Sequence, residues 1–294
     1  MSELVHSPPS AADVLRSVVE LGKPRITGLV VFTAAIGRLL APVPPDPLRA
    51  AAVLAGTALL VASANTLNCW LERESDARMV RTRDRALPSG RIEPGTALAF
   101  GIAEAVAALA FLALASNPLV VFLGAVAHAT YVLAYTPLKR VSPVSLLVGA
   151  IPGALPPLMG WASATGSLAA PGWQLFGLLF FWQLPHFIAV ALYLEEDYRR
   201  GGLRVLSVAS GGTAARLHLL ASTAALVAVS VLAVPLGMSG TVYLLTACAL
   251  GAVFLALAIE GLRRAAGGAW ARRTFLYSIV YLTVLVTVLL LDAR

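Results

Sequence analysis

Nine apolar segments, each close to the 20 residues or so that a helix needs to cross a bilayer, divide the chain. Helices are predicted over residues 26–43, 50–70, 95–115, 118–136, 144–162, 173–193, 215–235, 241–261 and 274–291. Turn-forming residues mark the gaps, as in Pro42 to Pro47 and Ser116-Asn117-Pro118. The pattern therefore predicts an all-α integral membrane protein, a bundle of nine transmembrane helices.

The composition supports this class. Of 294 residues, 59% are hydrophobic and 13% are charged, whereas a soluble domain carries about 25% charged residues. Residues 1–22 are polar and mixed, with Pro8 and Pro9, which does not match a cleaved signal sequence. We therefore predict one membrane domain over residues 1–294, with residues 1–22 as a polar N-terminal segment.

The basic residues orient the bundle. With the N-terminus placed in the cytoplasm, 19 of the 22 lysines and arginines fall on the inner side, and only Arg38, Arg49 and Arg294 fall outside. The net charge of +7 is thus mainly a topology signal. A nucleic-acid partner is not expected, because no basic soluble domain is available to bind one.

One charged stretch directly follows the second apolar segment. Asn68, Glu72 and Asp76 recur every four residues, so on a helix they share one face and drift by about 40° per step. Three oxygen ligands on one face suit a hard cation such as Mg²⁺. Arg81 and Arg85 follow and suit an anion held by that cation, such as a diphosphate.

A second acidic cluster, residues 195–197, ends the sixth predicted helix on the same side. If Glu196 and Asp197 face the same cavity as the first cluster, the two groups can hold two metal ions that bridge a diphosphate.

The pattern over residues 68–85 resembles the first aspartate-rich motif of the UbiA prenyltransferase superfamily. The closest likeness is to the protoheme IX farnesyltransferase (heme O synthase) branch. Four further stretches carry the resemblance, at residues 23–25, 135–140, 153–162 and 183–187. The chain departs from the superfamily pattern at Glu72, where Asp is usual. It departs from the branch pattern at Glu196, where Lys is usual, and at residues 205–207, where Met-Leu-Pro is usual.

The resemblance implies a UbiA-like fold in the bacterial inner membrane, with the active site facing the cytoplasm. Farnesyl diphosphate and heme b would be the substrates and Mg²⁺ the cofactor. The implied metal ligands are Asn68, Glu72, Asp76, Asp197 and Glu196. The implied diphosphate contacts are Arg25, Arg81, Arg85 and Lys139. The alternative for these basic residues is that they anchor the helices at lipid headgroups.

Aromatic and imidazole side chains are candidates for the rest of the reaction. Tyr135 and Tyr193 lie near the cytoplasmic helix ends, where their rings could stabilise an allylic cation or belong to an interfacial aromatic belt. His186 and His128 are candidate heme contacts, and the alternative is a hydrogen bond to a neighbouring helix. Glu104, an acid inside the third segment, matches no family motif, and pairing with another helix is expected for it.

Two other functions stay open on the sequence. One is a UbiA-type enzyme with a hydroxybenzoate or naphthoate acceptor. The other is a cation-coupled transporter, since intramembrane acids also mark ion pathways. The acids cluster at one membrane face, which favours the enzyme. Besides the lipid bilayer, association with a heme A synthase or with a second copy of the chain stays open.

Overall fold

The computed structural model describes residues 11–264 and 266–293. Residues 1–10 of the polar N-terminal segment and Arg294 therefore lie outside the described residues. Within the described ranges, eleven helices follow one another in the order α1 Ala11–Leu21, α2 Pro24–Leu39, α3 Pro47–Arg78, α4 Pro94–Ala115, α5 Pro118–Leu138, α6 Ser145–Thr165, α7 Ala170–Tyr193, α8 Glu195–Arg200, α9 Leu206–Val231, α10 Thr241–Arg263 and α11 Gly268–Leu291.

Nine of these helices, α2 to α7 and α9 to α11, correspond to the nine predicted segments within the described ranges. Eight of them are long and apolar enough to cross a membrane. The ninth, α2, has 16 residues, which is shorter than predicted because the chain turns at Leu40 ahead of the proline-rich gap. The prediction of an all-helical multi-pass membrane protein is confirmed.

Two boundaries differ from the prediction in a way that matters for function. Helix α3 continues past residue 70 to Arg78, because Glu72, Ser75 and Asp76 are buried inside the protein and do not face lipid. Helix α9 begins at Leu206, well before residue 215, with a non-helical residue at Gly211 (φ 81°). Apolar windows alone miss polar turns that are shielded by protein.

The helices pack into two halves. Helices α3, α4, α5 and α6 share one hydrophobic core, and α7, α9, α10 and α11 share another. Helix α6 joins them, since it contacts α2, α5 and α7 and is the most buried of the spanning helices. The first half thus holds Asn68, Glu72 and Asp76, which we call the ladder, and the second half holds Asp197.

Helices α2 and α6 cross at very short range. A Cβ atom added at Gly160 would lie 1.8 Å from the Ala34 carbonyl oxygen, and one at Gly37 would lie 1.9 Å from the Pro157 oxygen. Such contact requires residues without side chains, as is usual where membrane helices pack closely. The crossing fixes α2, and with it Lys23 at the N-terminal end of α2.

Candidate active site

The predicted ladder lies on the last three turns of α3. Asn68, Glu72 and Asp76 are all buried, with 1%, 6% and 1% of their surface exposed. Buried carboxylates are stable only when charge and hydrogen bonds compensate them. Their partners therefore define the site.

Each member of the ladder contacts a basic side chain from a different part of the chain. Lys23 donates from Nζ to Asn68 Oδ1 at 2.8 Å. Lys139 Nζ lies 3.0 Å from Glu72 Oε1, and Arg85 Nη1 donates to Asp76 Oδ2 at 2.8 Å. Three separate segments thus bring one positive charge each to one helix face.

The charges of this cluster are coupled. Burial alone would lower the pKa of Lys139, but the Glu72 carboxylate raises that pKa well above the usual value for lysine. Burial likewise opposes the charge on Arg85, and Asp76 raises the pKa of that guanidinium. Burial lowers the pKa of Lys23, and the positive charge of Arg85 lowers it further. The acids therefore hold Lys139 and Arg85 in their charged forms.

The second acidic cluster reaches the first through the loop after α3. The Val80 backbone N–H donates to Asp197 Oδ1 at 3.0 Å, and Arg81 Nε lies 3.9 Å from Asp197 Oδ2. Within the same loop Thr82 Oγ1 donates to the Asp76 carbonyl at 2.9 Å. The loop therefore connects Asp76 of one half of the bundle to Asp197 of the other.

Glu196 is not brought into this group by the structure. Its side chain is 63% exposed and pairs with Arg199 and Arg200 of its own helix, α8. Adjacent residues on a helix point about 100° apart, so Glu196 faces away when Asp197 faces the loop. Arg25 is also exposed, while Lys23, two residues earlier, reaches the ladder.

A π-helical turn, Thr130–Tyr135, interrupts α5 directly before these contacts. Tyr135 lies in this turn, and Lys139 Nζ stands 4.4 Å from the centre of its ring. Tyr131 is the next aromatic neighbour, with ring centres 5.2 Å apart. Tyr135, a predicted site residue, thus lies beside Lys139, the lysine that contacts Glu72 of the ladder.

Tyr193 is 45% exposed at the end of α7, as an interfacial tyrosine would be. Tyr198 of α8 interacts electrostatically with two of the basic residues of the site. Burial raises the pKa of its phenol, and the positive charges of Arg81 and Lys139 oppose that rise. Lys23 and Tyr198 were not among the predicted site residues. The only sequence signals for them are their positions beside the 23–25 motif and beside Asp197.

The two predicted heme contacts are both hydrogen-bonded to serines of neighbouring helices. His186 Nδ1 lies 2.7 Å from Ser278 Oγ of α11, and Ser278 Oγ donates to the Phe275 carbonyl. The serine must then accept, so Nδ1 of His186 carries the proton and Nε2 keeps its lone pair. His128 Nε2 is related in the same way to Ser63 of α3.

Glu104 lies away from this site. It lines an apolar groove together with Val18, Thr27, Leu59 and Phe100, and its buried Oε2 has no hydrogen-bond partner. The pairing with another helix that the sequence suggested is therefore not seen for this oxygen.

The donor set of the ladder fits a hard metal ion. Asn68, Glu72 and Asp76 offer only oxygen ligands, and buried Oε1 of Glu72 touches Lys139 without the alignment of a hydrogen bond. Among the described residues, no three acidic, histidine or cysteine side chains form a ready metal cage. One or two carboxylates that share the ion with substrate phosphates are typical of Mg²⁺.

The fold has close neighbours among solved structures. A structure of digeranylgeranylglyceryl phosphate synthase superposes with a TM-score of 0.81 at 17% identity and covers 95% of this chain and 98% of its own. A UbiA homolog from Archaeoglobus fulgidus, solved with GPP and Mg²⁺, superposes with a TM-score of 0.64 at 17% identity and covers 93% of this chain and 99% of its own. At this identity the likeness concerns the fold alone.

Sequence comparisons are more specific. Protoheme IX farnesyltransferase of an Anaeromyxobacter species is 53% identical over 97% of this chain and 96% of its own. The protein of the same name from Myxococcus xanthus is 46% identical over 96% of each chain. The model of the UbiA prenyltransferase family matches residues 30–279. The chain therefore belongs to the UbiA prenyltransferase family.

Proposed function

We propose that this protein is a protoheme IX farnesyltransferase, which transfers the farnesyl group of farnesyl diphosphate to a vinyl group of heme b. The observation that carries the proposal is 53% identity to a protein of that name along nearly the whole of both chains. We further propose that residues 1–294 form one prenyltransferase domain of the bacterial inner membrane. Its site then faces the cytoplasm, where the basic loops lie.

In this reaction the bond between C1 of the farnesyl chain and the diphosphate oxygen breaks, and the electron pair leaves with pyrophosphate. The vinyl group attacks the allylic cation, and water adds to the porphyrin-side cation and loses a proton. The product is a hydroxyethylfarnesyl heme. The protein must therefore neutralise a multiply charged leaving group and protect a carbocation from water.

The basic residues that contact the ladder are suited to bind the diphosphate of the substrate. Lys23, Lys139 and Arg85 converge on one helix face, and Arg81 joins them from the loop beside Asp197. Each can donate hydrogen bonds to phosphate oxygens. Arg25, the sequence-based candidate from the 23–25 motif, is exposed, so we assign the contact to Lys23.

Asn68, Glu72, Asp76 and Asp197 are the residues that we propose as holders of Mg²⁺. A bound Mg²⁺ would neutralise charge on the leaving pyrophosphate oxygens. The exposed Glu196 is left out of this set because its partners are the arginines of its own helix. Before substrate binds, Lys139 and Arg85 balance the buried carboxylates, which keeps the ladder stable.

Tyr135 and Tyr198 are the aromatic residues that we propose to act on the cation. Lys139 Nζ lies 4.4 Å from the centre of the Tyr135 ring, so the face of this ring is already next to a positive charge. For the acceptor we propose His186. Because Nδ1 of His186 donates its proton to Ser278, Nε2 keeps a lone pair and is the atom that can bind iron. His128 has the same type of serine support and is the second candidate.

The test is product formation by the purified protein. Incubation with heme b, farnesyl diphosphate and Mg²⁺ should yield a heavier heme by mass spectrometry, and Asp76→Asn should abolish it. Glu74→Gln is the matched control, because Glu74 lies on the same helix but is exposed. A product from hydroxybenzoate and none from heme would move the assignment to another acceptor. Ion flux in vesicles with no product from either acceptor would favour the transporter.

A further inference from the structure

The amide of Asn68 is held at both ends. Its Oδ1 accepts from Lys23 Nζ at 2.8 Å, and its Nδ2 donates to Thr136 Oγ1 at 3.1 Å. Asn68 and Thr136 are each 1% exposed, so water cannot replace either partner.

The direction of the second bond follows from the threonine. Thr136 Oγ1 is 2.8 Å from the Tyr131 carbonyl oxygen, which can only accept. The hydroxyl hydrogen therefore points to Tyr131, and the oxygen is left to accept from Asn68. In the opposite orientation of the amide, its NH₂ group would face the Lys23 ammonium, donor against donor. Thr136 and Lys23 together allow one orientation only.

The π-helical turn makes this contact possible. The Thr136 backbone N–H bonds to the Tyr131 carbonyl, one residue further back than in an α-helix. The additional residue turns everything after it by about 100° around the helix axis. Thr136 and Lys139, which follow the turn, both face α3, where they meet Asn68 and Glu72 respectively. Pro137, which lacks an N–H, follows Thr136.

We propose that Thr136 is a positioning residue for the metal and diphosphate site. It fixes the Asn68 amide so that Oδ1, the only atom of that side chain able to bind a metal, faces Lys23 and Nδ2 faces Thr136. The inference rests on the proposed function, because it takes Asn68 as a ligand. It adds a residue that touches neither substrate nor metal and acts through Asn68.

Removal of the hydroxyl takes away the Thr136 acceptor of the buried Nδ2 of Asn68. The amide can then rotate or shift, and its oxygen is presented to the ion for less of the time. Loss of a partner that orients a metal ligand typically weakens metal binding about 10- to 100-fold. Serine keeps the hydroxyl and should restore the interaction.

The experiment compares Thr136→Val, Thr136→Ala and Thr136→Ser in the full-length protein in detergent. The probe is Mn²⁺ with inorganic diphosphate, and water-proton relaxation reports the complex that tumbles with the protein. Both hydroxyl-free variants should bind the probe about 10- to 100-fold more weakly, and Thr136→Ser should stay within about threefold of the parent protein. Thr57→Val is the matched control, because Thr57 is equally buried and donates only within α3.

Parent-like binding by folded Thr136→Val or Thr136→Ala would overturn the proposal. An equal loss in Thr136→Ser, or in Thr57→Val, would overturn it as well, since the effect would then be one of packing. Failure of the proposed function looks different. If the parent protein makes no prenylated heme but the hydroxyl-dependent difference in Mn²⁺ binding persists, the acceptor assignment is wrong and the role of Thr136 stands.

Discussion

At the scale of single residues, Lys23 has the most unusual backbone of the site. It is the only non-glycine residue in the described ranges with a positive φ, 48°. A left-handed conformation costs a residue with a side chain about 1–2 kcal/mol, and such strain is often found at functional sites. Lys23 also precedes Pro24, which disfavours the right-handed helical alternative. The strained turn directs its ammonium to Asn68.

We expect Lys23→Ala to lower kcat/KM for farnesyl diphosphate roughly 10- to 100-fold, because a charged hydrogen bond to a buried partner contributes about 1.5–3 kcal/mol. Arg25→Ala is the matched control from the same motif, and its activity should stay within about threefold of the parent protein. A larger loss in Arg25→Ala than in Lys23→Ala would return the diphosphate contact to Arg25.

Lys23→Gly separates strain from function. Glycine adopts a positive φ without a steric cost, so this variant should be about 1 kcal/mol more stable than Lys23→Ala while it shows the same loss of activity. Melting temperatures of the two purified variants provide the measurement. Equal melting temperatures would mean that the backbone at residue 23 relaxes once the lysine is removed.

The sequence predicted the ladder residues correctly as one helix face, since a four-residue repeat has one geometric outcome. It did not indicate their partners. Whether Lys23 or Arg25 reaches Asn68 depends on the backbone angle of one residue. Which of Glu196 and Asp197 faces the loop after α3 depends on where the short helix α8 begins. Neither property follows from composition or spacing.

At the scale of elements, the crossing of α2 and α6 controls how the site is assembled. The two helices approach with carbonyl oxygens directly over Gly37 and Gly160, and α2 carries Lys23 at its N-terminal end. A change in this crossing therefore moves a charged group that lies many residues away. The predicted helix lengths gave no indication of it, because helix pairing depends on which small residues meet.

Gly160→Ala should destabilise the protein by about 1–3 kcal/mol, as overpacking of a close contact does, and should lower activity because α2 must shift. Gly28→Ala is the control, since a Cβ atom at Gly28 meets no heavy atom within 4 Å. Thermal unfolding in detergent and the heme assay give the two readouts. A melting temperature of Gly160→Ala equal to that of Gly28→Ala would contradict the close approach.

At the scale of the whole molecule, one end of the bundle carries the chemistry. The end of α3, the start of α2, the end of α5 and helix α8 all lie there, together with most of the basic residues. The sequence predicted this asymmetry well. The apolar segments give the number of helices, and counting them along the chain assigns each loop to one end of the bundle or the other. It did not predict that α6 joins the two halves of the bundle.

The proposed orientation can be measured by labelling with a membrane-impermeant maleimide in a Cys248→Ala background, because Cys248 is exposed and Cys69 is buried. Ser89→Cys, in the loop after α3, should react only in inside-out vesicles. Ser167→Cys, at the opposite end between α6 and α7, should react in intact spheroplasts. Both serines are exposed. The reversed pattern would place the site on the outer face.

The pairing of the acids of the site with basic side chains has a kinetic consequence. Four basic side chains, Lys23, Arg81, Arg85 and Lys139, surround the three carboxylates of Glu72, Asp76 and Asp197. With all four protonated, the resting pocket is net positive and repels a free divalent ion. Binding should then be ordered: the metal arrives as a chelate with the diphosphate or after it. Mg²⁺ alone should leave the melting temperature unchanged, whereas Mg²⁺ with inorganic diphosphate should raise it by mass action. The enzyme would thereby bind its metal ion only when the prenyl diphosphate that is to be ionised is present.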